Sequence, residues 1–294
     1  MKSAFILFVG FLGVHFQNAF AFFGANTYRT FSFSRPTDLS FAIDENTVHW
    51  DSSQKVSTTR NEIYLPDSTY KSFNKVCFPE HGGTHLDAPS YITKNGRRVA
   101  DIPIDSLIVS GIHVDVTNEV HGEPKFVLDE HHLRRWTETY GKIESKSVLL
   151  INFGWANRYW NRSAYMGTGY SEHNRNFPGI SIPAARWIAE NPNIVGVGVD
   201  TPSVDVGHST TFDVHKILTG ANVYLLENVA LNNTYLPARG FQLVVMPMKL
   251  THGTGAPVRI IASPYCIGGA GLVKVSKFAI LSMLVVTVLK VQSR

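Results

Sequence analysis

The chain has 294 residues, 44% hydrophobic and 17% charged, which excludes a disordered chain or a coiled coil and leaves ample material for a large core. Its formal charge is +4, but setting aside the single cation of residues 1–21 and the four of residues 271–294 leaves −1 for the middle. A basic face for nucleic acid is therefore not expected.

At the start, Lys2, the apolar run 4–14 and the small residues Ala19 and Ala21 form the outline of a secretory signal peptide over residues 1–21. His15, Gln17 and Asn18 interrupt the run before the about 20 apolar residues that a membrane span needs. The sequons beginning at Asn161 and Asn232 suit an extracellular compartment. Cys77 and Cys266 either pair in an oxidising lumen or remain two free thiols.

The densest chemical signal follows, His81-Gly82-Gly83-Thr84-His85-Leu86-Asp87-Ala88-Pro89. Two imidazoles and a carboxylate this close are donors that suit zinc or manganese. On a helix Asp87 would leave the face shared by His81 and His85, and the glycines and Pro89 oppose helix. An extended segment, with its period of two, predicts all three side chains on one side. Such a trio is by itself more often an ordinary polar cluster. Gly82 and Gly83, however, leave the backbone unencumbered, as a close-packed site requires.

Downstream, residues 148–153 and 194–199 are apolar runs of strand type, with a helix predicted over 183–190 between them. Residues 210–219 have the length of a helix stopped by Gly220, ahead of a strand over 223–226. Further strands are expected at 241–245 and 258–262. This alternation predicts one mixed α/β domain over residues 25–265. Behind small residues 268–271, the apolar run 278–289 matches the outline of a GPI-anchor signal. A last core element or a membrane-surface tail are the other readings of residues 266–294.

HGGTHLDAP resembles the H-x-G-T-H-x-D-x-P signature of the cyclase / kynurenine formamidase family of metal-dependent hydrolases. Asp38-Leu39-Ser40 with Trp50, Gly179-Ile180-Ser181, the block Gly198 to Asp205 and the block Gly255 to Arg259 are similar to further family segments in the same order. The resemblance runs from about residue 38 to 262. It implies a swivelling β/β/α fold and a homodimer. It implies that His81, His85 and Asp87 hold one divalent metal, zinc first and manganese second. Asp87 would bridge to a second ion whose other ligands match His215 and Glu227. The implied reaction is hydrolysis of a small amide, N-formylkynurenine, to kynurenine and formate. Trp50 would line an aromatic substrate pocket, or simply pack in the core.

One departure matters. Two residues after the proline, where the family has a histidine acting as general acid/base, this chain has Tyr91. A phenol with an ordinary pKa near 10 transfers protons poorly at neutral pH, whereas an imidazole near 6.5 does so well. A secreted metal-binding protein that has lost catalysis is therefore the second reading. Glu80 and His252 are substitute bases or ordinary polar residues. His49, His113, His121, His131, His132, His173 and His208 are expected to be surface or structural.

Overall fold

In this computed structural model, residues 35–168, 174–232 and 235–264 are described. The signal-like segment, His173, Cys266, the apolar tail and most of the second sequon lie outside them. Among the described residues no helix is long and apolar enough to cross a membrane.

The elements in chain order are β1 (Thr37–Asp38), β2 (Ser57–Tyr64), β3 (Tyr70–Cys77), β4 (His85–Asp87), β5 (Ile108–Asp115), α1 (Thr117–Val120), β6 (Val127–Leu128) and α2 (Glu130–Tyr140). They continue with β7 (Ser147–Asn152), α3 (Arg162–Met166), β8 (Gly179–Ile180), α4 (Ile182–Ala189), β9 (Ile194–Val199), α5 (Asp213–Gly220), β10 (Tyr224–Glu227), β11 (Phe241–Pro247) and β12 (Gly255–Pro264).

The apolar runs predicted as strands form β7, β9 and β10, and they are apolar on both faces because both faces are covered. Val148 and Leu150 of β7 join Leu226, Phe241, Leu243 and Ile260 in one cluster. The alternate residues Leu149 and Ile151 join Trp136 of α2, Ala184 of α4 and Leu218 of α5 in the other. Strands β5, β7, β9 and β10 run parallel in that order. Antiparallel β4 then joins β10 to β12, and β11 joins β12 to β5, so the sheet closes into a ring with β1 added along β12. Closure leaves few open edges to protect. The domain is mixed α/β, as expected.

Helix α4 starts where the sequence indicates. The Ser181 hydroxyl accepts from the Ala184 amide at 3.1 Å, and proline occupies the first turn. Helix α5 begins three residues later than predicted. Phe212 takes a left-handed φ of 53°, which breaks the helix, and the Asp205 carboxylate satisfies the freed amides of Val214 (3.0 Å) and His215 (3.2 Å). The polar segments β2 and β3, which carry no strand-like apolar pattern, pair as a hairpin. It is solvated on both faces yet shows large side chains, among them Tyr64, Tyr70 and Phe73.

Just after β9 lies Asp200, fully buried, accepting from the amides of Phe153 (2.8 Å), Trp155 (2.6 Å) and Ala156 (3.1 Å). Burial pushes its carboxyl up to about 6, against the pull of those amides. Asp200→Ala would strand three buried donors. Urea denaturation should show a loss of about 3 kcal/mol.

Candidate metal centre

The extended reading holds for β4 alone. His85 and Asp87 share one face of that strand, and Leu86 between them enters the core cluster of the ring. His81 reaches the same spot from the preceding loop, which turns at Gly83 (φ 59°). The antiparallel register sets Glu227 of β10 directly opposite His85. Helix α5 lays His215 over both strands.

The five side chains converge. Asp87 Oδ1 lies 2.6 Å from His81 Nδ1 and 3.2 Å from His85 Nε2, and Oδ2 lies 3.3 Å from His215 Nε2. Glu227 lies 3.3 Å from His215 Nε2 and 3.6 Å from His85 Nε2. Two groups of potential ligands result, His81, His85 and Asp87, then Asp87, His215 and Glu227. Asp87 belongs to both.

Outer partners set which nitrogen of each imidazole faces inward. His85 Nδ1 donates to the Gly83 carbonyl (3.0 Å) and His215 Nδ1 to Asp205 (2.6 Å). The Thr254 hydroxyl gives its proton to Glu80, so it accepts from His81 Nε2 at 3.1 Å. In every case the second nitrogen is left for the carboxylates. This is the donor arrangement that a divalent ion requires, so the residues fit such a group.

Charge agrees with that geometry. Burial opposes ionisation of Asp87, but the His85 charge and the hydrogen bonds from His215, His81 and His85 outweigh it and hold the carboxyl well below its usual range. Burial likewise works against charge on His85, yet Asp87 and Glu227 raise it to about 9. Without a metal, protons on His85 and His215 balance the carboxylates. A cation must therefore displace protons, and affinity should rise between pH 6.5 and 9. Titration calorimetry at pH 7 in buffers of different ionisation enthalpy should register about one or more protons released per ion. Heats independent of buffer would contradict this.

Trp50 is half-buried and lines the same cavity, between Phe212 (6.0 Å between centroids) and Phe177 (6.3 Å), with the Arg175 guanidinium 4.0 Å over its ring. Tyr91 stands at the cavity, 40% exposed, its ring 4.1 Å from that of His81. Burial, then the charges of Asp87 and Glu227, push its phenol pKa up. Glu80 accepts from the amides of Thr254 and Gly255 besides the Thr254 hydroxyl, so it braces the site. His252 is exposed. Three contributors have no role in the sequence reading. Asp205 and Thr254 act through side chains far along the chain. His49, expected to be surface or structural, is buried and lines the cavity; only its place beside Trp50 hinted at this.

The "Putative cyclase" family model matches residues 37–206. An isatin hydrolase of Roseibium aggregatum is 28% identical over 218 residues, covering 71% of this chain and 81% of that protein. A kynurenine formamidase of Salinibacter ruber is 25% identical over 227 residues, covering 76% of this chain and 95% of that protein. Among solved structures, isatin hydrolase A from Labrenzia aggregata bound to benzyl benzoate superposes with a TM-score of 0.69 at 26% identity, over 78% of this chain and 93% of that one. The family match ends before His215 and Glu227, which the fold itself brings to the signature.

Proposed function

Because the chain belongs to the cyclase family, we propose that it is a metal-dependent hydrolase of small aryl amides, of the kynurenine formamidase type. The observation that carries this reading is Asp87, shared between two ligand groups and surrounded by three oriented imidazoles. His81, His85 and Asp87 would hold one ion, and Asp87, His215 and Glu227 a second, with zinc or manganese suited to the nitrogen and oxygen donors. A divalent ion there supplies Lewis acidity toward a carbonyl and lowers the pKa of water.

The chain's own groups do the rest. Asp205, Thr254 and the Gly83 carbonyl hold the imidazoles in one tautomer and orientation. Trp50 and Phe212 give an aromatic substrate a flat wall. Tyr91, its pKa raised, keeps its proton at neutral pH and can donate a hydrogen bond at the cavity mouth. The net reaction adds water across the amide C–N bond. A formamide then yields formate and an amine, and a cyclic amide opens to an amino acid.

The test is metal analysis joined to assays with N-formylkynurenine and isatin. Kynurenine and formate release is expected. Opening of isatin alone would move the substrate to cyclic amides within the same class. Bound metal with no turnover of either would favour the second reading, a secreted metal-binding protein, whose support is Tyr91.

We further propose a homodimer in which a second copy covers the β2–β3 hairpin, since a solvated ribbon bearing Tyr64, Tyr70 and Phe73 is unstable in water alone. Light scattering should give about twice the mass of one chain, and the triple change to serine at those positions should give one. The signal-like start and the exposed sequon Asn161, at the N-cap of α3, support secretion, with attachment to a membrane through the apolar tail.

A further inference from the structure

One buried polar side chain of the cavity has no part in the chemistry above. His49 is only 4% exposed, and beyond the His81 backbone its buried ring nitrogens have no hydrogen-bond partner. Buried polar groups are nearly always paired.

The His49 ring is nevertheless firmly placed. Its backbone bridges to Gly82, and its carbonyl accepts from Arg162 at 3.0 Å. Gly82 makes room for the imidazole, because a Cβ there would fall 2.1 Å from Nδ1 and 2.2 Å from Cε1. A fixed ring nitrogen without a partner, beside the Trp50–Phe212 wall, is preorganised for a group that enters the cavity. A neutral imidazole offers one N–H donor and one lone pair.

A secondary aryl amide brings a carbonyl oxygen and an N–H. With the carbonyl at the metal centre, the N–H needs an acceptor. The carboxylates of Asp87 and Glu227 face the imidazoles, Asn228 Oδ1 accepts from the Tyr165 hydroxyl, and Ser203 Oγ accepts from the Asp205 amide. Among the described residues lining the cavity, His49 has a buried ring nitrogen without such an engagement.

We propose that His49 is a specificity-determining residue that accepts the N–H of a secondary aryl amide, so that the site selects such amides over N-alkylated ones. This rests on the amide-hydrolase reading.

Two matched pairs test it, formanilide with N-methylformanilide and isatin with N-methylisatin. Wild type should prefer the N–H member by at least about tenfold in kcat/KM. His49→Phe should lose that factor on the N–H members and nothing on the N-methyl members, and His49→Gln should recover part of it. An unchanged preference in His49→Phe, or an equal loss on both members, would overturn the assignment. A second readout does not need turnover. The His49 imidazole 15N shift in the metal-loaded protein should move with isatin and not with N-methylisatin. Absence of turnover would count against the hydrolase reading alone, whereas a 15N shift indifferent to both ligands would overturn the role of His49.

Discussion

Asp87→Asn should remove bound metal and hydrolysis together, with kcat/KM falling by more than about a thousandfold. Asparagine keeps the shape of aspartate but offers one neutral oxygen and an NH2 in place of two anionic oxygens. Here both oxygens are in use, Oδ1 toward His81 and His85 and Oδ2 toward His215. One substitution therefore dismantles both ligand groups. His81→Ala removes a member of the first group only and should cost less, leaving the Asp87, His215 and Glu227 group in place. Metal content measured on the purified variants orders the two. An Asp87→Asn protein that keeps the full wild-type complement of metal would sink the bridging role. Circular dichroism should show the fold intact, since Leu86 and the register of β4 are untouched.

The parts of this molecule that could be read from the sequence share a physical cause. Strands β7 and β9 lie between two apolar layers, so nearly every residue in them is apolar and no competing pattern exists. Helix α4 announces itself by Ser181 and Pro183, because capping is local chemistry. The cluster His81, His85 and Asp87 is legible for the same reason, being contained in one short segment. Features built by distant residues are not legible in that way. Asp87 and His215 are 128 positions apart, and only the family resemblance connected them. Strand β5 hides behind Ser110, Gly111 and His113. Gly111 is needed there because the Phe241 ring packs against it, leaving 2.0 Å for a Cβ. The start of α5 depends on Asp205, which reaches back to it from a loop. Burial of His49 is likewise a tertiary fact, invisible in a residue type that is common on surfaces.

Tyr91→His should raise turnover of the preferred amide by about a hundredfold, within the range that a positioned acid/base supplies. Position 91 closes the turn Pro89–Tyr91 that follows β4, which places its side chain against His81. The phenol is the wrong group for neutral pH. Burial and the two carboxylates move its pKa upward, so it donates a proton reluctantly and has no lone pair basic enough to take one. An imidazole in that place can do both near pH 7. The pH profile separates the explanations. The variant should acquire a limb between about pH 6 and 8 from the new imidazole, which wild type lacks. Tyr91→Phe should lose less than about tenfold, because wild type then forfeits only a hydrogen bond. A variant that gains activity from a wild type with none would favour a natural chain that acts by binding. A Tyr91→His protein slower than wild type, alongside an inactive Tyr91→Phe, would mean that the phenol itself transfers the proton. In that event a bound cation would have to offset both the burial and the carboxylates that raise its pKa.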